Sequence, residues 1–394
     1  MSVLSQTRRY NVTAVLVFLL VAAGRVLVSA DRLPPDPGYE FFEDSYRNGW
    51  LVLFKTEGGY LDVPRRILSE IVVLFPIRFT ALIGTALWVV MCGASALAVS
   101  VLVKRVTKNR LVGVLCGLMV VLVPSASESQ IGNQSVIKWF LILLVVVAIS
   151  VPDEEMIATS VLGALIIASG ISNPMTFVAT APLLVNLARV RGIRRTTRTK
   201  VVIACFAFGL LVQIIAWQST GSGIQKYAER VYWPWPGAGS FWYYNFFIPP
   251  LTCLVILALT LPKLPFPKPS QFLLNLAMSG FALWSVTYYL SGMADRYFVV
   301  PQILSALCAI IYLKENFLQI NIFLRVMSAV YVLVFAIAIV NWYQSGWFLS
   351  SGPKWSTEVD RSINECSADA SQVTTIEQFM GGVELNCSTL LSRT

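Results

Sequence analysis

Residues 75–103, FPIRFTALIGTALWVVMCGASALAVSVLV, followed by KRVTKNR at 104–110, decide the fold. From Phe79 to Val103 there is no charged side chain. An α-helix rises about 1.5 Å per residue, so about 20 apolar residues cross the roughly 30 Å hydrocarbon layer of a bilayer. The helix of a soluble protein carries a polar stripe along its exposed face, and this stretch has none. Lys104, Arg105, Lys108 and Arg110 close it as basic residues close the cytoplasmic end of a span.

On either side, apolar runs recur at about 10–29, 111–124, 137–151, 156–170, 174–188, 201–218, 246–261, 272–290, 297–313 and 325–343. The pattern predicts an all-α polytopic membrane protein with about eleven transmembrane helices, in a range of nine to twelve because several runs are short. The runs between 111 and 170 can also be read as a re-entrant pair. Composition agrees: 56% of the 394 residues are hydrophobic and 13% charged, against about 25% charged in soluble domains.

The net charge of +9 does not point to nucleic acid, because the cations lie in short runs between apolar segments with no interleaved aromatic platform. Arg189, Arg191, Arg194, Arg195, Arg198 and Lys200 form the second such run. With the amino end inside, the cytoplasmic segments hold sixteen Lys and Arg and four acids. The opposite side holds eleven Lys and Arg and seventeen acids. The bias of basic residues sets orientation, so the amino terminus is expected in the cytoplasm and the carboxy terminus outside.

Five of the seven cysteines (Cys92, Cys116, Cys205, Cys253, Cys308) lie in apolar runs and read as packing residues. Cys366 and Cys387 lie in the polar tail, where an oxidising compartment would join them. The chain has no His and no CxxC, which removes Ser-His-Asp and Cys-His catalysis and any conventional zinc site. A divalent cation is compatible with the sequence and not required by it. The expected organisation is a transmembrane domain over 1–343 and a small extracytoplasmic tail over 344–394. In the tail, WSTEVDRSINEC reads as a short helix and TTIEQF and VELNC as strands. So small a unit needs a staple to fold alone, which the cysteine pair would supply.

The first outer loop, 31–74, is the segment richest in chemistry. It carries Asp31, Asp36, Glu40, Glu43, Asp44, Glu57 and Asp62 with Arg47, Lys55, Arg65 and Arg66. Pro34, Pro35 and Pro37 break any helix at its start, and Ser45–Phe54 and Val63–Leu74 read as amphipathic segments lying in the membrane interface. A carboxylate there can take a proton from a sugar hydroxyl, and guanidinium groups can clamp phosphate in bidentate fashion. The same charges also suit a solvated loop whose ions pair with one another. A later loop, QKYAERVYWPWPGAGSFWYYNFF at 225–247, offers Lys226, Glu229 and Arg230 among aromatic residues that suit either sugar stacking or the headgroup belt. MADRYFVVPQ, 293–302, places Asp295 and Arg296 at the outer mouth of a late helix. Acidic residues are missing from mid-membrane positions, which weighs against ion-coupled transport.

Three segments together resemble a family. FFEDSYRNGWLVLFKTEGGYLDVPRRILSEI (41–71), SNPMTFVATAPLLV (172–185) and DRYFVVPQILSAL (295–307) resemble, in order, the first outer loop, a small-residue and proline helix entry, and a late RYF…P helix of the bacterial GT-C glycosyltransferase superfamily. The resemblance implies a sugar moved from a polyprenyl-phosphate donor to a cell-envelope glycan or lipid acceptor at the outer face of the plasma membrane, with inversion. It implies a first-loop carboxylate as base, with Asp44 first, then Glu43, Glu57 and Asp31. It implies Arg65, Arg66 and Arg296 as phosphate ligands; Tyr60, Lys226 and Arg230, read from their own loops, are expected as further substrate contacts. The first loop departs from the family in having Asp31 alone, followed by prolines, directly after the first helix. A flippase for a lipid-linked glycan and a polymerase or ligase of envelope polysaccharide are the competing readings.

Overall fold

The computed structural model describes residues 3–33, 38–56, 60–123, 132–133, 136–151, 158–191, 197–220, 248–261, 267–290, 298–316, 352–378 and 381–393. The apolar runs within these residues are helices, because a helix satisfies its own backbone polar groups where side chains cannot. They are α1 Val3–Val26, α4 Thr80–Thr107, α5 Arg110–Leu122, α6 Ile137–Ser150, α7 Thr159–Gly170, α8 Met175–Arg191, α9 Thr197–Thr220, α10 Ile248–Ala258, α11 Gln271–Leu290 and α12 Val299–Asn316. The first loop adds α2 Gly38–Asn48 and α3 Val63–Val72. The tail is α13 Trp355–Ala368, strands β1 Val373–Gln378 and β2 Gly381–Asn386, and α14 Cys387–Leu391.

Among the described residues two helical stretches, Ile77–Thr107 and Thr199–Ser219, are long and apolar enough to cross a membrane. The other apolar stretches that qualify by composition run to 10–17 residues. A helix of that length rises about 15–25 Å, short of a full hydrocarbon layer. The helices fall where the apolar runs predict them, and several are as short as those runs; two, against the about eleven expected, have the length and composition of a span among the described residues. Runs 111–124, 137–151 and 156–170 form three separate helices, α5, α6 and α7. The run at 325–343 lies outside the described residues.

The α4–α5 hairpin shows how local chemistry sets the packing. Lys108 ends α4 in the left-handed region at φ 54°, and the Asn109 side chain accepts from Val112 N at 3.1 Å to cap α5. Gly113 and Gly117 then bring α5 against α4 and α1. A Cβ at Gly117 would meet the Phe18 ring and stand 2.8 Å from Ala96 O; at Gly113 it would stand 2.6 Å from Ser100 O. Small residues four apart allow this close approach of helices. The resulting core unites Phe18, Trp88, Trp139, Leu276 and Leu307 from five helices.

A second core lies outside the bundle and joins the first loop to the tail. Phe42, Tyr46, Val72 and Ile77 bury against Trp355, Val359, Ile376 and Leu390. The hairpin is antiparallel with Ile376 opposite Val383, both fully buried. Cys366 and Cys387 form a disulfide. Trp355 is the hinge of the arrangement: its Nε1 donates to Ile77 O at 2.7 Å and its backbone N to Asp31 O at 2.8 Å. Ile77 N donates in turn to Arg393 O at 3.1 Å, and Arg393 Nη1 to Val73 O at 3.1 Å. The elements expected in the tail are present, and their apolar face is given to the first loop.

The disulfide closes a separation of 21 residues. Replacing Cys366 and Cys387 together by Ser is expected to cost about 3 kcal/mol and to expose the tail to protease. Wild-type resistance to cleavage within 355–391 in the double variant would contradict this role.

Candidate functional site

The site forms where α2 crosses the first turn of α3. On α2 the apolar residues Phe41, Phe42 and Tyr46 recur at helical spacing and turn inward, which leaves Glu43, Asp44 and Arg47 at the flank. Pro64 starts α3, where its missing N–H costs nothing. The helix then buries Arg65 and Arg66 in its first turn, at 3% and 2% exposure.

Phe41 lies beneath both guanidinium groups, with its ring centroid 3.5 Å from Arg65 Cζ and 4.6 Å from Arg66 Cζ. A cation over an aromatic face recovers part of the cost of desolvation. Asp44 sits beside them. Both of its carboxylate oxygens accept from Lys55 Nζ, at 2.6 and 2.7 Å, and Oδ2 stands 3.5 Å from Arg66 Nη1.

A second buried pair adjoins the same turn. Asp62, at 1% exposure, directs Oδ2 to Lys138 Nζ of α6 at 3.5 Å, and Lys138 also donates to Tyr60 Oη at 3.3 Å. The segment between Tyr60 and Asp62 is fixed by Gln213 of α9. Its Oε1 accepts from Leu61 N at 3.1 Å, and its Nε2 donates to Leu61 O at 3.3 Å and to Gly170 O of α7 at 2.8 Å. Three bundle helices therefore hold the entrance to α3.

Glu70, two turns further along α3, is also buried. Burial pushes its carboxyl above the usual value, opposed by Ser45, Arg393 and Arg66. Burial likewise pushes the Tyr46 hydroxyl up to about 12, opposed by its hydrogen bond with Thr80 at 2.8 Å and by Arg393. Several buried polar atoms in this region have no hydrogen-bond partner: Asp62 Oδ1, Arg66 Nε and Nη1, and Glu70 Oε1. Among the described residues, three carboxylates (Asp44, Asp62, Glu70) stand with five cations (Lys55, Arg65, Arg66, Lys138, Arg393), an excess that favours an anion.

Asp44, Tyr60, Arg65 and Arg66, all expected from the sequence, converge here. Glu43 is turned to the tail instead: it pairs with Arg47 at 2.9 Å and accepts from Glu384 N at 3.3 Å. Asp31 accepts from Ser356 Oγ at 2.6 Å and Ser356 N at 3.1 Å, fastening the start of α13. Glu57, Lys226, Arg230 and Arg296 lie outside the described residues. Among the described residues no group of three or more His, Cys, Asp and Glu side chains is placed to hold a metal. Lys138 and Gln213 escaped the sequence reading, because each sits in an apolar run and its partner is remote in sequence. Asp62 had a signal, since an acidic residue just before a proline-initiated helix marks a helix start.

The chain matches no known protein family and no curated protein.

Because burial raises the Glu70 carboxyl, the folded state holds its proton more tightly than the unfolded chain. Its contribution to stability is then fully present below the ordinary value of 4.5 and is lost as pH rises through the raised one. Glu70→Gln is expected to raise the melting temperature at pH 8, with the gain vanishing near pH 4. A lower melting temperature at pH 8 would contradict this.

Proposed function

We propose that the chain is a polytopic membrane glycosyltransferase of the GT-C type, crossing the plasma membrane about eleven times with α2, α3 and the tail outside. It transfers a sugar from a polyprenyl-phosphate donor to a cell-envelope glycan or lipid. The observation that carries this reading is the pair of buried guanidinium groups of Arg65 and Arg66, stacked on Phe41 beside the Asp44 carboxylate. Trp50, Leu51 and Phe54 project into solvent from the same loop, a face suited to the bilayer surface from which a lipid-linked donor arrives.

In the proposed reaction the acceptor hydroxyl oxygen attacks the anomeric carbon of the donor sugar while Asp44 takes the hydroxyl proton. The bond from that carbon to the phosphate oxygen breaks, and its electron pair leaves with the polyprenyl phosphate. Attack from the face opposite the leaving group inverts the configuration. Arg65 and Arg66, with Arg296 as a third ligand, match the charge that develops on the leaving phosphate. Lys55, which is largely exposed, yields its place on Asp44 to the acceptor hydroxyl. A phosphate leaving group needs little protonation, so one carboxylate and two or three arginines suffice in a chain without His.

The test uses radiolabelled polyprenyl-phosphate sugars and purified full-length protein. Asp44→Asn is expected to lower kcat by about 10²–10⁴-fold, and Arg66→Ala to raise KM for the donor. Transfer at the wild-type rate in both variants would remove the site assignment.

A further inference from the structure

We infer that α3 is a half-embedded helix whose open face rests among the acyl chains of the outer leaflet, together with the 3-10 turn Gly49–Phe54 that precedes it. The partner of this surface is phospholipid. The inference rests on the proposal that the chain crosses the membrane, and deepens it by fixing the level at which Arg65 and Arg66 sit.

The polarity of α3 is inside out. Its four polar residues, Arg65, Arg66, Ser69 and Glu70, are all buried. The four residues it leaves open, Val63, Pro64, Ile67 and Ile71, are all apolar. Val63, Ile67 and Ile71 recur every four residues and so form one stripe. A helix on a surface that faces water shows the reverse, with its polar stripe outward.

The same inversion marks α4, which lies in the stretch Ile77–Thr107 that has the length and composition of a span. Thr80, Thr85, Ser95 and Ser100 are buried, while Leu82, Ala86, Val90 and Ala94 are exposed at four-residue spacing. Two helices joined by a short link and sorted by one rule face one solvent, and for a membrane-crossing α4 that solvent is lipid. In the link, Leu74, Phe75 and Phe79 are exposed too, so the open apolar positions run on from α3 into α4 along the chain. With 10 residues α3 rises about 15 Å, too short to cross a bilayer and suited to lie within one leaflet.

The turn Gly49–Phe54, packed on α2 and α3, repeats the pattern. Val52 is buried, whereas Trp50, Leu51 and Phe54 are open, Leu51 at 87%. The cations that follow these apolar residues carry their charge to the exterior cap: Lys55 donates to Asp44 at 2.6 Å and Arg78 to Asp360 at 2.9 Å. Arg65 and Arg66 lie on the α2 side of α3, against Phe41 and Asp44. A helix about 10 Å across, sunk on its open side, holds them at the level of the lipid phosphates.

The experiment places single nitroxide labels on the full chain in nanodiscs of phosphatidylcholine and phosphatidylglycerol, through Leu51→Cys and Ile67→Cys in a Cys205→Ser background. Val90→Cys on α4 and Glu384→Cys on the tail serve as references. The ratio of collision with oxygen to collision with a water-soluble nickel chelate is expected to be several-fold higher at positions 51 and 67 than at 384, and close to that at 90. A second measurement leaves the sequence untouched. A phosphatidylcholine with a diazirine on its acyl chain should label 49–54 and 63–71 of the wild type along with α4, and spare the tail. The inference is overturned if position 51 or 67 reads like 384, if either is shielded from both reagents as beneath another protein surface, or if the acyl-chain probe marks α4 but not 63–71. A water-like ratio at position 90 as well would bring down the membrane reading itself.

Discussion

Two adjacent guanidinium groups buried at the join between a helical bundle and its exterior cap dominate this molecule. A buried charge is tolerated only where an aromatic face, an opposite charge or a bound ion offsets lost hydration. For Arg65 and Arg66 the structure supplies the Phe41 ring, and for Arg66 also the Asp44 carboxylate, both from α2. The position of α2 is thereby fixed by electrostatics as much as by apolar packing. Any shift of α2 would strand two cations with little access to water.

Neither half of the exterior cap can satisfy that demand alone. The first loop starts with a proline-rich stretch and spends several of its apolar side chains, Trp50, Leu51 and Phe54 among them, on an exposed face, and the tail is about as small. Segments of this size rarely sustain a core of their own. Shared between them, Phe42, Tyr46 and Val72 find Trp355, Val359 and Leu390. Glu43 and Arg47, on the flank of α2 next to Asp44, reach the β2 backbone at Glu384. The disulfide-bonded tail is thus the brace that sets α2 across α3. On the bundle side, Gln213 and Lys138 do the same for the entrance to α3.

Much of this was legible in the sequence, and the reasons are local. Uninterrupted apolar runs marked the bundle helices, and the tail's helix, strands and cysteine pair followed from short-range pattern and polarity. Asp44, Arg65 and Arg66 stood out because their types and clustering suit phosphate chemistry. What stayed hidden was pairing over long sequence distance. Glu43 and Asp44 look equivalent as neighbours, yet a helix turns them about 100° apart, and only the tail decides that Glu43 faces Glu384. Asp31 looked reactive beside the first helix, but a serine over 300 residues away occupies it. Lys138 resembles the start of an ordinary apolar helix until Asp62 is placed against it. The bounds of α5, α6 and α7 were legible to within about three residues, but an apolar run of 12–15 residues does not state whether its helix crosses a membrane.

The most direct measurement is photo-crosslinking of the full chain with a polyprenyl phosphate that carries a diazirine in its first isoprene unit, followed by peptide mapping. Labelling concentrated in 41–71, reduced by excess unlabelled polyprenyl phosphate and weakened in Arg65→Ala/Arg66→Ala, is the expected result. Labelling spread over the lipid-facing helices, with 41–71 unmarked or insensitive to competition, would contradict an anionic lipid headgroup seated between α2 and α3.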